Sequence, residues 1–311
     1  MAGQLWSAAN GYMASPTLSA ELRTALQPLT RFLQFCDVEV ALGKHKGQTY
    51  TWNVYGDTAD EGGVLVENQP VPETTFPVSQ GTVTLVERGI SVPYTGLYDD
   101  LSEHNVKSII HKTLKNNANR ALDTAAAAQF DLSILTATST SATAFTLQDD
   151  ATFSGAATNG LALAHVRTMA DTLQERNIPV FDGENYVCIS RPSTIRAFRN
   201  ELDAIRQYVD EGWMAIMNGE VGRYENIRFV TQTNIASKGW TNTDAAYFFG
   251  ADTVTEVIAN PVEIRGKIPD DYGRSKGIMW YCVNAFGITH SDQTNAATKA
   301  QARIIRWGST S

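Results

Sequence analysis

Residues Asp99–Leu135, DDLSEHNVKSIIHKTLKNNANRALDTAAAAQFDLSIL, show the most regular pattern in the sequence. Apolar and small residues recur in it at spacings of four and three, the pattern of one helix face. They are Ile110, Leu114, Ala118, Ala121, Ala125, Ala128, Leu132 and Leu135. Asp100 and Glu103 approximate a capping box. We predict one helix from Asp100 to Leu135, roughly 50 Å long at 1.5 Å per residue; a dimeric coiled coil is the alternative, but the stripe is rich in alanine.

A long β-hairpin is predicted before this helix. The run GQTYTWNVYG (47–56) alternates, so that Tyr50, Trp52 and Val54 share one face. The run TVTLVERGISV (82–92) is its predicted return strand, with a bulge where the alternation changes phase near Val86 and Gly89.

The segment between the two strands is acidic. Residues 57–81 contain no Lys or Arg, and prolines and glycines divide them into extended pieces. Their acids are Asp57, Asp60, Glu61, Glu67 and Glu73. Two interpretations remain open at this stage: a solvated acidic loop, or an arm that lies over a neighbouring subunit and meets its arginines.

A second body follows a Ser/Thr/Ala/Gly-rich boundary at about 136–160. The pattern predicts a helix at 161–178, a buried strand at 185–190 and a helix restarting near Pro192. The β-rich segments 245–259, 262–267, 276–290 and 301–307 close the chain. The fold class is therefore α+β, with helices and strands partly segregated.

Charge and composition exclude several classes of protein. The 311 residues carry a net charge of −8, which argues against general electrostatic binding of nucleic acid. The start of the chain does not have the pattern of a signal peptide, and no apolar run approaches the length of a membrane span. Cys36, Cys188 and Cys282 are far apart and odd in number, which is typical of buried thiols and not of a disulfide framework.

No motif predicts a catalytic, cofactor or metal site. The five histidines lack metal-ligand spacing, and the nucleophile-elbow, Walker and dinucleotide motifs are absent. In GEVGRYENIRFVTQTN (219–234), Gly219 and Gly222 have the wrong spacing for a phosphate loop, and a strand follows instead of a helix. We interpret these glycines as turn devices.

Arginine replaces lysine in the second body, since no lysine occurs between Lys115 and Lys238. Arginine suits bidentate pairing with carboxylates at interfaces. The candidate contacts of the acidic loop between subunits are Arg167, Arg176, Arg191, Arg196 and Arg199. The alternative is pairing with local acids, namely Asp171, Glu175, Glu201 and Asp203.

Several motifs together resemble a known family: KGQTYTWNVYG, GISVPYTGLYDDLSEH, NIPVFDGENYVCISRPSTIRAF, GEVGRYENIRFVTQTNI, AAYFFGADTVTEVI and IPDDYGRSKGIMWYCVNAFGI. In order and spacing they are similar to the major capsid proteins of tailed bacteriophages with the Hong Kong 97-type fold, in particular the subgroup of N4-like phages. The resemblance covers nearly the whole chain.

The resemblance implies a coat protein, not an enzyme, that assembles with itself into hexamers and pentamers of an icosahedral shell around double-stranded DNA. It implies a virion protein assembled in the host cytoplasm, with no cofactor, a separate scaffolding protein, a portal and a possible decoration protein. The implied divisions are an N-terminal arm (1–43), an extended loop (44–92), a spine helix and peripheral domain (93–159), an axial domain (160–259) and returning peripheral strands (260–311).

Two alternatives remain. An encapsulin-like nanocompartment would use the same fold to enclose a protein cargo instead of DNA. A soluble hydrolase or carbohydrate-active enzyme would instead be a compact monomer or small oligomer with a deep, acid-lined pocket.

Overall fold

The structure is a computed structural model in which the following residues are described: 30–41, 47–56, 58, 62–65, 67, 69–102, 104–153, 157, 159–206, 222–235, 244–268, 271–290 and 301–309. The described helices are α1 (Gly96–Leu101), α2 (Val106–Phe130), α3 (Leu163–Glu175) and α4 (Arg196–Arg206). The strands before α3 are β1 (Asp37–Val40), β2 (Thr49–Tyr55), β3 (Val78–Thr84), β4 (Val86–Thr95), β5 (Leu135–Ser139) and β6 (Phe145–Gln148). The later strands are β7 (Tyr186–Ser190), β8 (Arg223–Tyr224), β9 (Ile227–Thr231), β10 (Asp244–Phe249), β11 (Val254–Gly266), β12 (Ser275–Ile288) and β13 (Ile304–Ser309).

A four-stranded sheet carries the long helix. Its order is β1-β11-β12-β4, with β1 parallel to β11 and the other pairs antiparallel. Helix α2 lies on one face, where the Trp280 indole Nε1 donates to Asn117 Oδ1 at 3.0 Å. Buried residues of α2 recur mostly every four positions and pack with Ile278, Trp280 and Phe286 of β12. Apolar burial along this seam joins helix and sheet into one core.

A seven-stranded sheet forms the second body, in the order β6-β5-β13-β10-β7-β9-β8. Its central strands are buried on both faces, which explains their continuous apolar runs. Val187 and Phe249 face the cluster that contains α2, whereas Cys188 and Phe248 face the cluster that contains α3 and α4. The two sheets therefore share α2 and the segment at Phe32 as a common core.

The long helix is shorter than predicted and is divided. Helix α1 begins after Thr95, whose hydroxyl accepts from Tyr98 N at 3.3 Å. Helix α2 begins after Asn105, whose side chain accepts from Ser108 N at 3.2 Å, and it has 25 residues. The prediction of one helix from Asp100 was wrong, because Asp100 lies within α1 and the extended Asn105 caps a new helix. Glu103 of the predicted capping box lies outside the described residues.

The predicted end of this helix was also wrong. The chain leaves the helix after Phe130, and Leu135 instead begins β5, which is parallel to β13. Leu132 is more than half exposed. The buried stripe follows Leu122, Ala126 and Phe130 beyond Ala118, because the spacing of four continues unchanged.

The hairpin is confirmed, with a different return strand. Strand β2 pairs with β3 in register Thr49 to Thr84, and Tyr50, Trp52 and Val54 are the less exposed residues of β2, as predicted. The phase change near Val86 is a change of sheet, since β4 leaves the hairpin after Leu85 and pairs with β12. The change in alternation was real, but a bulge was the wrong explanation.

The stretch predicted as a boundary with little burial is partly core. All five residues of β5 are buried, and β5 and β6 extend the seven-stranded sheet. Small Thr and Ala side chains suit a strand that is packed on both faces. Among residues 260–311, β12 returns to α2, whereas β13 pairs with β10 and β5.

Candidate assembly surface

The hairpin is joined to the body by one tryptophan. Trp52 Nε1 donates to the carbonyl of Thr289 at 2.8 Å. The indole ring covers Gly81 on the neighbouring strand, and a Cβ at Gly287 would lie 3.0 Å from the ring. Both glycines are therefore needed for close approach of the ring, and Trp52 sets the direction in which the hairpin leaves the sheet.

Beyond this junction the loop exposes apolar side chains. Val64 is 99% exposed, and Leu65, Val71 and Phe76 are each more than half exposed. The loop surrounds an open cavity of about 480 Å³ that Val64, Leu65 and Val71 help to line. Exposed apolar side chains clustered on a projecting loop are typical of a surface that is covered in an assembly.

The predicted acids of the loop are only partly visible. Glu67 and Glu73 are exposed on the loop. Asp57, Asp60 and Glu61 lie outside the described residues. The structure therefore places two of the five acids on the same projecting surface as the apolar side chains.

The predicted arginines belong to the helical layer of the second body. Arg167 and Arg176 lie on or at the end of α3, Arg191 precedes α4, and Arg196 and Arg199 lie on its first turn. Helices α3 and α4 pack in the same cluster on one side of the seven-stranded sheet.

Two of these arginines have intramolecular environments that matter for pairing. Arg167 Nε donates to Tyr224 Oη at 2.8 Å and lies 3.6 Å from Glu225 Oε1, so it has a local acid that the sequence analysis did not consider. Burial lowers the pKa of Arg176, an effect that the nearby charge of Asp149 opposes. Arg196 is exposed on α4.

A buried carboxylate holds the end of the N-terminal segment. Asp123 of α2 is fully buried, and Oδ1 accepts from Phe32 N at 2.7 Å. Oδ2 accepts from Gln232 Nε2 at 2.7 Å and from Asn234 Nδ2 at 2.9 Å. Burial raises the pKa of Asp123, and these hydrogen bonds lower it in part. One side chain thus joins the long helix, the N-terminal segment and the exit of β9.

The described part of the stretch 219–234 contains a tight turn, but the predicted glycines do not form it. Gly222 has φ +66°, and Glu225 and Asn226 have φ of +47° and +58° between β8 and β9. Positive φ at both central residues is the signature of a type I′ hairpin turn. Gly219 lies outside the described residues, and Glu225 and Asn226 carry the turn itself.

The described part of the chain shows no sign of a metal site or of a membrane span. No cluster of three metal-binding side chains occurs among the described residues, and none of their helices is long and apolar enough to span a membrane. A second open cavity, of about 540 Å³, lies between β3, the end of α2 and β12, and Asp131 is the single acid among its described lining residues. The described residues that line this cavity and the loop cavity include no carboxylate pair for hydrolysis.

Comparison with known proteins identifies the fold. No protein-family model and no curated protein matches the chain. It is similar to the solved capsid asymmetric unit of Cyanophage Pam1, with a TM-score of 0.72, 14% identity, and coverage of 98% of this chain and 99% of that chain. It is also similar to the acidic stable capsid of Helicobacter pylori bacteriophage KHP30, with a TM-score of 0.69, 11% identity, and coverage of 100% and 99%.

A third similar structure is the capsid of a native GTA particle, with a TM-score of 0.65, 16% identity and full coverage of both chains. At these identities the likeness establishes the fold. The α+β class and the Hong Kong 97-type capsid fold predicted from the sequence are confirmed.

Proposed function

We propose that this chain is the major capsid protein of a tailed bacteriophage, which assembles with itself into an icosahedral shell around double-stranded DNA. The observation that carries the proposal is the likeness to phage capsid subunits over nearly the whole length of both chains. The narrower placement among N4-like phages rests on the sequence motifs alone. The role is structural and not catalytic, and the protein belongs to the virion after assembly in the host cytoplasm.

The projecting loop supports this proposal on physical grounds. A shell needs weak contacts that are repeated many times, so that avidity replaces the strength of a single interface. A loop that exposes Val64, Leu65 and Phe76 presents such a contact, and in a shell the loop would lie on a second copy of the chain.

Acid–arginine pairs between copies are part of the proposal. Asp57, Asp60, Glu61, Glu67 and Glu73 would face arginines of the neighbouring subunit. Arg196 is the best placed of the five arginines because it is exposed, whereas Arg167 already has Tyr224 and Glu225 as partners. The remaining candidates are Arg176, Arg191 and Arg199.

The domain divisions also remain a proposal: arm 1–43, extended loop 44–92, spine helix and peripheral domain 93–159, axial domain 160–259 and returning strands 260–311. The packing of β12 against α2 supports the last division, and the pairing of β13 with β10 favours placing 304–309 with the axial sheet. A separate scaffolding protein and a portal complete the proposed partners, and a decoration protein is a further candidate.

The test is negative-stain microscopy with sedimentation velocity on the protein expressed alone and with the scaffold encoded beside it. Closed shells, tubes or capsomer rings are expected. DNA inside the particles supports the virus, and a protein cargo would support an encapsulin-like nanocompartment instead. A persistent small monomer in both preparations would contradict the capsid function and favour a soluble enzyme.

A further inference from the structure

A small polar cavity lies where the two sheets meet. It has a volume of about 10 Å³, and its described lining residues include Ser133, Thr253, His290 and Arg303. Thr253 and His290 flank β11 and β12 of the four-stranded sheet. Ser133 and Arg303 precede β5 and β13 of the seven-stranded sheet. A molecule bound in this cavity would therefore contact both sheets.

Two side chains of the cavity have a buried polar atom that no described residue satisfies. Thr253 is 1% exposed, and its Oγ1 has no hydrogen-bond partner among the described residues. The His290 side chain is 6% exposed, and its Nδ1 likewise has no partner in the described part of the chain. Buried polar groups are normally hydrogen-bonded, because an unsatisfied group costs free energy. The two atoms therefore indicate a ligand in the cavity.

The other ring nitrogen of His290 faces a carboxylate. His290 Nε2 lies 3.3 Å from Asp252 Oδ2, and Arg303 Nη1 donates to the same oxygen at 3.0 Å. The hydrogen bond from His290 and the charge of Arg303 lower the pKa of Asp252, so this carboxyl group is ionised at neutral pH. An ionised carboxylate only accepts, so Nε2 carries a proton and donates. In the neutral ring, Nδ1 is then an acceptor that needs a donor.

Size and chemistry select the ligand. A cavity holds one water molecule when it has a volume of roughly 10–15 Å³ and offers two to four polar partners. Thr253 Oγ1 and His290 Nδ1 are two such partners. Ser133 Oγ donates to the carbonyl of Ile304 and keeps a lone pair, so it can be a third. The charge of Arg303 disfavours a metal cation, and the lone pair of Nδ1 disfavours an anion.

We propose that this cavity binds one structural water molecule, which donates to His290 Nδ1 and forms a second hydrogen bond with Thr253 Oγ1. The water joins the end of β12 to the turn between β10 and β11. Because water both donates and accepts, it satisfies Nδ1 whether or not the ring is charged. This inference does not depend on the proposed shell function.

The water site lies beside the residue that holds the hairpin. Thr289 precedes His290, and its carbonyl accepts from Trp52 Nε1 at 2.8 Å. Thr289 N donates to the carbonyl of Thr253 at 3.0 Å, and Thr289 Oγ1 lies 3.0 Å from Thr255 Oγ1. A water between His290 and Thr253 adds a further link between the same two segments. It thus helps to fix the carbonyl to which Trp52 donates.

Thr253→Val tests for the water, because the expected effect has a different sign with and without it. A bound water would lose a partner, so the unfolding equilibrium constant of the full-length chain should rise about fivefold to thirtyfold in a denaturant titration. In a cavity without water, the substitution would only remove an unsatisfied hydroxyl, and the constant would stay equal or fall. An equal or lower constant would therefore overturn the proposal.

The matched control is Thr138→Val on β5. Thr138 is also 1% exposed, and its Oγ1 has no partner among the described residues. It is not among the described residues that line this cavity or the two larger ones. The unfolding constant of this control should stay equal or fall. A rise as large as that of Thr253→Val would show that loss of a water is not the cause, and would overturn the proposal.

Two further measurements examine the water and its role directly. A map of the wild-type chain at a resolution that shows ordered water should contain a peak about 2.7–3.2 Å from both His290 Nδ1 and Thr253 Oγ1. No peak at that position would overturn the proposal. The indole N–H of Trp52 should exchange with solvent faster in Thr253→Val than in Thr138→Val. Equal rates in the two variants would overturn the role of the water in holding the hairpin.

Discussion

At the level of single residues, buried polar side chains connect elements that are distant in the sequence. Asp123 accepts hydrogen bonds from residues 91 and 109 positions away, and Arg306 donates to the carbonyls of Asp131 and Ala151. A buried polar group is costly unless its partners are present, so each of these side chains specifies one arrangement of its neighbours.

The substitution Asp123→Asn tests this role. An Asn amide has one oxygen acceptor, and its NH₂ group would face donors that the second carboxylate oxygen now accepts from. Because those donors lose their acceptor, we expect a loss of about 1–3 kcal/mol in the free energy of unfolding. Denaturant unfolding measures the loss. The control Asp171→Asn changes an exposed acid on α3 and should stay within about 0.5 kcal/mol of wild type. Equal stabilities of the two variants would contradict the prediction.

His165 gives the fold a dependence on pH. Its Nδ1 accepts from Ala162 N at 3.1 Å, so Nε2 carries the proton and donates to Ser141 O at 2.9 Å. Burial lowers the pKa of His165 below its ordinary value of 6.5, although the hydrogen bond to Ser141 O and the charge of Glu201 oppose the shift. The unfolded chain therefore binds the proton more readily than the folded chain.

We accordingly expect the stabilising contribution of neutral His165 to be present above about pH 6.5 and to be lost as the pH falls below that value. His165→Asn removes the titration and should flatten the dependence of Tm on pH between about 5 and 6.5. His111→Asn, on the exposed side of α2, should keep the wild-type dependence. Parallel pH profiles for wild type and His165→Asn would count against this assignment.

At the level of elements, local sequence patterns predicted some features, and others depended on tertiary partners. The alternation of β2 and the apolar stripe of α2 were visible because one face of each element is covered and the other is not. The sequence did not predict the division of the long helix, because Asn105 resembles any other polar residue of a helix. Only the structure shows that its side chain accepts from Ser108 N and so caps a new helix. At Leu85 the chain passes from the hairpin to the four-stranded sheet, and this change depends on β12, which lies far away in the sequence.

The junction of hairpin and body predicts a specific effect. In Gly81→Ala the new Cβ would overlap the Trp52 indole, which must move and lose its hydrogen bond to Thr289. We expect overpacking to cost about 1–3 kcal/mol and hydrogen exchange of β2 and β3 to accelerate. Gly62→Ala on the loop has no atom within 4 Å of its new Cβ and serves as the control. If β2 and β3 exchange as slowly in Gly81→Ala as in wild type, the Trp52 ring can adapt and the prediction is wrong.

At the level of the whole molecule, the described residues of the projecting loop are exposed, and several of their side chains are apolar. Deletion of residues 57–73 should therefore leave the unfolding temperature nearly unchanged and abolish closed shells, because the loop contributes to assembly and not to the core. Calorimetry and negative-stain microscopy measure the two effects. Normal shells from the deleted chain would refute the interpretation of the loop as an arm.

The chemistry of this contact can be separated by two further variants. Neutralising the five acids of the loop to Asn or Gln should reduce shell yield and its sensitivity to salt, since exposed ion pairs contribute only about 0.2–1 kcal/mol each and are screened. Val64→Ser with Leu65→Ser should reduce yield at every salt concentration. If neutralisation leaves the shell yield unchanged and the two serine substitutions lower it, the contact is apolar and the proposed acid–arginine pairs are wrong.

The sequence by itself determined the α+β class, the hairpin, the main helices and the capsid fold, because periodicity and turn residues are local properties and the order of motifs spans the whole chain. It also located the acids of the loop and the arginines of the second body. Tertiary structure alone decided which strands share a sheet, that β5 is core, and that Trp52 directs the hairpin. The physical reason is that pairing and burial are set by partners distant in the sequence, whose positions no local pattern records.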